Sequence, residues 1–452
     1  MKPPLASWGS FAWKQKCICG LFAAWMLLAA GLARAQEGLR NSMAGDAAAA
    51  AMHQQQASQD YTVKSGDFRL LVVPSLEMDW DDNITISASG QQQDFILRPL
   101  VQFTGTYPIT QNNTLNLSAG IGYDEYLEHS QYSALRVDSG SQLAFDMYIK
   151  DFLINFHDRF QYSQDPGTQP GVAGGAAGTA LYGGLNNTAG LTTTWDLEDL
   201  VLTLGYDHAN FVPSSGEFSY LEDSTELPMI QAGFRFTPAL TAGLEATASF
   251  TSYNQQVLNN YNSYSIGPYA DWQPGTYFHV QPRAGYVINQ FQHTSESYAI
   301  NHQLNSGLPI VLPTGESIQT ADLGSWYADL TISHQVTDAV KYGLSVGRET
   351  QAGIQADVIE DWYVRPSVDL AIVKDLSLTA SLPYEHGNQG VNNISGNLTE
   401  TFDWFGGNLS ASYPIMKKWL LSLDYRLTLR SSDANERGYT QNVVGIRLAY
   451  HP

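Results

Sequence analysis

The chain has 452 residues with 23 Lys plus Arg against 44 Asp plus Glu, a formal net charge of −21 that argues against a nucleic-acid partner, since phosphate backbones are held by cationic surfaces. At 43% hydrophobic it is no disordered polyelectrolyte, and 12% aromatic residues beside 39 Gly and only 15% charged residues is an unusual mix for a soluble enzyme of this length. Both cysteines, Cys17 and Cys19, fall before residue 20, so the rest of the chain carries no thiol, disulfide or thiolate metal site.

Lys2, Lys14 and Lys16 form a basic stretch ahead of an apolar run over 17–32 (CICGLFAAWMLLAAGL), and Ala33-Arg34-Ala35 before Gln36 has the small-x-small form of a signal-peptidase site. The run is shorter than the roughly 20 residues a spanning helix needs. Residues 1–35 therefore read as a cleavable export signal rather than an anchor. Losing them removes four basic residues (Lys2, Lys14, Lys16, Arg34) and no acidic one, which takes the net charge from −21 to −25. Residues 36–64 are rich in Ala, Gln and Ser, with five consecutive Ala at 47–51, and read as a flexible periplasmic leader.

From Phe68 onward no run of 18 apolar residues occurs, and the dominant pattern has period two. In 115–124, Leu115, Leu117, Ala119, Ile121 and Tyr123 alternate with Asn116, Ser118, Gly120, Gly122 and Asp124. The segments 240–250 and 376–385 repeat the split, as does 419–430 (WLLSLDYRLTLR). Successive side chains of a strand point to opposite faces, whereas a helix needs spacings of three and four. Strands are predicted at 68–79, 94–107, 114–127, 135–149, 152–164, 187–195, 200–209, 227–237, 240–253, 262–272, 277–292, 321–336, 340–351, 361–373, 376–387, 400–413, 419–431 and 439–450.

A soluble sandwich also has one-sided strands, so the connections decide the class. Short turns near 108–113, 150–151, 196–199, 238–239, 273–276, 337–339, 374–375 and 414–418 alternate with longer loops. Aromatic residues flank the short turns: Tyr107, Tyr148 and Phe152, Trp195, Phe236, Trp272 and Tyr277, Tyr342, Tyr413 and Trp419. An aromatic girdle, short periplasmic turns and long outer loops describe a transmembrane antiparallel up-and-down β-barrel, all-β, over residues 65–452. About eighteen strands are expected, with both ends periplasmic, or sixteen if the weaker segments 187–209 and 262–272 drop out. Closure leaves no backbone edge facing lipid.

The last strand ends Gly445-Ile446-Arg447-Leu448-Ala449-Tyr450, and Gly445, Leu448 and Tyr450 fit the G-x-x-apolar-x-aromatic signal read by the barrel-assembly machinery, with His451 and Pro452 as a departure after the aromatic. The strand FRLLVVPSLEMDWDDNI (Phe68 to Ile84), with its Asp81-Asp82-Asn83 tip, and the next, DFILRPLVQFTGTYPIT (Asp94 to Thr110), resemble the type 2 outer-membrane β-barrel porin family, close to the barrels of exopolysaccharide operons. The resemblance implies a porin-like or polysaccharide-associated role in the bacterial outer membrane and brings no catalytic residues.

In a wide barrel the inward face lines water, so its charges are the candidate function. Continuing the alternation puts Arg69, Arg98, Arg136, Arg159, Arg235, Arg283, Arg365, Arg426 and Arg447 inward, with Glu77, Asp124, Asp146, Glu245, Asp369 and Asp424. Arg426, Arg447, Arg69 and Arg98 lie on strands that adjoin on closure, and two arrangements follow: a basic ladder facing an acidic wall, or ion pairs that fill the lumen and fix register. Pro74, Pro99, Pro268, Pro282 and Pro366 fall at lipid-facing positions, each expected to mark a bulge or bend because proline gives no ladder hydrogen bond. The loops 165–186 and 293–320 are the longest, candidates to fold inward or to stay at the surface.

No G-x-S-x-G, H-E-x-x-H or P-loop pattern occurs, so no enzyme, cofactor or metal site is expected. The acidic tip Asp79-Trp80-Asp81-Asp82-Asn83 offers oxygen ligands without the spacing of a calcium loop. The reading is an outer-membrane, porin-like channel for passive diffusion of small hydrophilic solutes. Its alternatives are an accessory barrel for exopolysaccharide export and a structural or adhesive barrel acting through its loops. The implied partners are outer-membrane lipid, the assembly machinery and the solute or polysaccharide, with monomer and homo-oligomer both open.

Overall fold

The computed structural model describes residues 61–164, 183–255, 258–292, 298–301, 310–313, 321–352, 358–373, 375–390, 399–435 and 437–452. The expected export signal at 1–35, nearly all of the expected leader and most of the two longest loops lie outside the described residues.

Eighteen antiparallel strands close into one barrel. In chain order they are β1 (Phe68–Asp81), β2 (Asp94–Pro108), β3 (Thr114–Tyr126), β4 (Ala134–Val137 and Gln142–Ile149), β5 (Phe152–Ser163) and β6 (Gly184–Leu197). Next come β7 (Leu200–Pro213), β8 (Asp223–Thr237), β9 (Leu240–Tyr253), β10 (Tyr261–Gly275), β11 (Phe278–Phe291) and β12 (Leu323–Thr337). The circuit finishes with β13 (Val340–Ala352), β14 (Val358–Val373), β15 (Leu376–Ser381 and Tyr384–Gln389), β16 (Glu400–Met416), β17 (Trp419–Ser432) and β18 (Tyr439–Tyr450). The unbroken strands run from 12 to 17 residues, more than the roughly 9–11 a tilted strand needs to cross a bilayer. Each strand pairs with its neighbour in sequence, and β1 pairs with β18 from Ser75↔Ala449 to Asp81↔Val443. The segments around 187–209 and 262–272 form full strands, so the count is eighteen and not sixteen.

The closing ladder stops at Ser75, which would leave the start of β1 with a bare edge. A three-residue strand, Val63–Ser65, covers it through Val63↔Leu70 and Ser65↔Phe68, and Val72 N–H donates to Thr62 Oγ1 at 2.9 Å. The two split strands are satisfied the same way. At the break in β4 Ser141 Oγ takes the Gly120 N–H (3.0 Å), and at the break in β15 the Pro383 carbonyl takes the Gly406 N–H (2.8 Å).

The short turns sit where the sequence pattern puts them, at the end of the barrel where β1 begins and β18 ends. Lys150, Glu198 and Asp375 take positive φ there (53°, 66° and 80°), the left-handed backbone that tight hairpins require. Register shifts cluster beside these turns, between Arg235 and Thr237, Trp272 and Gly275, Gln335 and Thr337, Ala371 and Val373, and Pro414 and Met416. The five mid-strand prolines do not produce bulges. Pairing lapses beside Pro99, Pro268, Pro282 and Pro366, and the register is the same on either side of each gap. The missing N–H costs one ladder step without adding a residue, so the strand stays in phase.

The outer face is apolar and uncovered: Leu76, Leu117, Leu204, Leu244, Ile266 and Leu423 are exposed, while their in-strand neighbours Glu77, Asn116, Thr203, Glu245, Ser265 and Ser422 turn inward. Exposed apolar area of this extent is what a bilayer covers. At the short-turn end aromatic rings pair across strands, with Phe152 on Trp195 (5.1 Å) and Trp419 on Tyr450 (5.1 Å), and along β8, with Phe234 on Phe236 (5.0 Å). Trp272, Phe278, His334 and Tyr342 form a continuous edge-to-face row over β10–β13.

Candidate functional site: the charged lumen

Among the described residues, the inward side chains include four charged or polar clusters. The first spans β1–β4 and the seam. Arg98 lies 2.5 Å from Asp79 and 3.5 Å from Asp124, and Arg136 lies 3.2 Å from Asp124 and 3.1 Å from Asp138. Asp79, Arg98, Asp124 and Arg136 thus form a chain across four strands, with Asp79 buried. Glu77 faces Arg98 on β2 and Arg447 on β18 in the register, and Arg447 stands 3.8 Å from Asp424 on β17. Gly445 sits opposite Asp79, and a Cβ there would come within 2.4 Å of Asp79 Oδ1. Glycine at 445 is therefore what lets the carboxylate lie against the seam.

The second cluster lies across β8–β15. Glu245, fully buried, accepts from Gln231 Nε2 (3.1 Å) and from the Tyr327 hydroxyl (3.4 Å), with Arg283 at 4.0 Å. Asp329 accepts from the Tyr363 hydroxyl at 2.7 Å. Arg365 reaches Glu349 on β13 at 3.2 Å and Glu385 on β15 at 2.8 Å, and its guanidinium lies 3.9 Å from the Tyr363 ring centre, stacked by cation–π attraction. A recess of about 270 Å³ opens among Arg283, Tyr327, Asp329, Glu349, Tyr363 and Arg365. Gly285 and Gly347 leave room for the Tyr327 and Tyr363 rings to lie flat on the wall, since a Cβ at either would meet those rings at 2.5–2.7 Å.

The third cluster is a buried relay on β4, β5 and β7. Asn155 Nδ2 donates to Asp146 Oδ1 (2.7 Å), which turns Asn155 Oδ1 toward His157 Nδ1 (2.9 Å), and His157 Nε2 faces Asp207 Oδ1 (2.9 Å). The fourth stands at the far end from the short turns, where Arg430 and Arg437 both reach Glu400 at 2.7 Å.

Of the charges expected to face inward, Arg98, Arg136, Arg283, Arg365, Arg426, Arg447, Glu77, Asp124, Asp146, Glu245 and Asp424 stand on the lumen wall in these clusters or beside them. Arg69, Arg235 and Asp369 are inward in phase but sit at the short-turn mouth. There Arg235 grips both oxygens of Asp196 (3.2 and 3.1 Å), Asp369 accepts from Thr379 Oγ1 (2.9 Å), and Arg69 pairs in register with Lys64. The ladder of Arg426, Arg447, Arg69 and Arg98 is not an uncompensated basic wall, because Glu77, Asp79, Asp124 and Asp424 interleave with it. A guanidinium held against a half-dry wall needs carboxylate partners to offset its lost hydration.

The sequence reading overlooked Asp79, Asp207, Asp329, Glu349 and Glu385 as lumen groups, together with His157, Tyr327 and Tyr363. Asp79, His157 and Tyr363 are in phase with Glu77, Arg159 and Arg365, which the alternation already puts inward, whereas Asp207, Tyr327, Asp329, Glu349 and Glu385 lie on β7, β12, β13 and β15, where the sequence reading names no inward charge. Leu448 and Tyr450, paired with Gly445 in the expected assembly signal, lie on the outer face and at the aromatic rim.

No family model and no curated protein matches the chain. Among solved structures it is similar to Pseudomonas aeruginosa OccK5 (OpdH), at 11% identity and a TM-score of 0.44 over 84% of this chain and 98% of that one. It is also similar to Pseudomonas aeruginosa OprD (13%, TM-score 0.42, 86% and 98%) and Acinetobacter baumannii OccAB3 (9%, TM-score 0.44, 84% and 98%). Likeness at that level says nothing of what passes through this barrel.

Proposed function

We propose that the chain is an outer-membrane channel through which small hydrophilic solutes diffuse passively, exported with loss of residues 1–35. One observation carries this reading: a closed barrel of eighteen strands that is apolar outside and lined inside with charged clusters, one of which borders an open recess. A membrane wall with a wet, charged bore needs no cofactor and no catalytic group to pass solutes; a constriction and lining charges suffice. The lining set Arg98, Arg136, Arg283, Arg365, Arg426 and Arg447, with the carboxylates they meet, is the selectivity element of this proposal, and Gly445, Leu448 and Tyr450 serve as its assembly signal.

The test is single-channel conductance of the refolded chain Gln36 to Pro452 in a planar bilayer. Discrete, long-lived steps support the channel. Silence from protein shown to be folded and inserted sinks it and favours the export-accessory reading implied by the resemblance of Phe68–Ile84 to exopolysaccharide-operon barrels. An association measurement on the same sample distinguishes monomer from homo-oligomer.

A further inference from the structure

We infer that the lumen selects for cations, a conclusion that rests on the channel reading and names its solute class: small positively charged solutes and metal cations in preference to anions. It follows from the balance of charge in the two large clusters. Along β1–β4 and the seam, Arg98, Arg136, Arg426 and Arg447 stand among Glu77, Asp79, Asp124, Asp138 and Asp424, four guanidiniums among five carboxylates. Arg365 lies between Glu349 and Glu385. Both clusters therefore hold one carboxylate more than they hold arginines.

Farther around the wall the imbalance grows. Asp329 is held by a neutral phenol, Tyr363, at 2.7 Å, and borders the same recess as Arg365 and Glu349. Arg283 approaches Glu245 only to 4.0 Å. The opposite balance occurs, among the described residues, where Arg430 and Arg437 share Glu400, but that cluster stands at the outer mouth near the end of β17. A fixed negative charge on a low-dielectric wall concentrates mobile cations beside it and expels anions, as rings of Asp and Glu do in cation channels. Within a Debye length, about 10 Å at 0.1 M salt, the effect reaches across a bore of side chains, and at 1 M, where that length is about 3 Å, it fades.

The test is the reversal potential of channels purified from outer membranes and measured across a potassium chloride gradient. A single excess negative charge about 8 Å from the ion path, in water-like dielectric, gives a potassium-to-chloride permeability ratio of roughly five at low salt. The ratio should fall toward one as salt rises, and toward one at low salt in the double variant Glu349→Gln, Glu385→Gln. Arg365→Gln should raise it. Heat-modifiability on gels identifies the variants that retain a folded barrel, and the unmodified protein decides the sign whether or not they fold. Open channels with a ratio at or below one at low salt overturn the inference and leave the channel standing. Folded, inserted protein that never conducts overturns both.

Discussion

Replacing Asp82 with alanine measures how far side chains, and not the ladder alone, hold the barrel shut. The backbone pairing of β1 with β18 ends at Asp81↔Val443. Beyond it Asp82 N–H donates to the Asn442 carbonyl at 3.1 Å, Asp82 Oδ1 accepts from Asn442 N–H at 2.7 Å, and Asp82 Oδ2 accepts from Asn442 Nδ2 at 2.7 Å. Its neighbours extend the clasp: Asn83 Nδ2 donates to the Thr440 carbonyl (3.0 Å), and Gln441 Nε2 donates to Asp81 Oδ2 (2.8 Å) and to the Asn83 carbonyl (3.2 Å). Alanine removes both bonds that the carboxylate accepts and leaves the backbone bond in place. Hydrogen bonds to charged groups contribute about 1.5–3 kcal/mol each, and half-exposed Asp82 belongs at the low end. The expected loss is therefore about 3 kcal/mol, a factor of roughly one hundred in the unfolding equilibrium. Reversible urea unfolding in lipid vesicles, followed by tryptophan fluorescence, reads it directly. Asp82→Asn should recover about half, since its amide oxygen still accepts from one donor. A shift below about 0.5 kcal/mol for Asp82→Ala, the range of a plain surface substitution, would refute the clasp and leave closure to the Ser75–Asp81 ladder.

Three further outcomes can be checked on the same unfolding assay. Gly445→Ala should cost about 2 kcal/mol by pushing the Asp79 carboxylate off Arg98, and the cost should shrink when Asp79→Ala is already present, a non-additivity that a remote effect would not give. Ile266→Arg, on the exposed lipid face of β10, should destabilise the barrel by about 2–4 kcal/mol in vesicles, and no loss there would place the residue outside the hydrocarbon. Trp419→Ala removes the rim ring packed at a tilt against Tyr450 and should lose at least about 1 kcal/mol, with little change in conductance because the pair faces away from the lumen.

Alternation of side chains by itself determined the strands and the face each side chain takes. Residues 240–253 and 439–450 form the strands that their pattern outlines, and Glu245, Arg283 and Arg447 all turn inward as their phase requires. Period two is a local property of one strand, fixed by backbone geometry, and so it can be read one segment at a time. Prolines were harder to read, because the missing N–H leaves open whether a strand gains a residue or merely skips a bond, and at Pro99 and Pro268 it skips.

Only the tertiary structure decided which charges meet. Arg365 lies between Glu349 and Glu385 because β14 stands between β13 and β15 at one stagger, and a slip of one residue would send any of the three to lipid. Asp82 and Asn442 are 360 residues apart in sequence and meet only because the eighteenth strand returns to the first. Alternation says which side of the wall a residue takes but not its height or its neighbour around the bore. Those depend on stagger and closure, properties of the whole circuit that no single strand encodes.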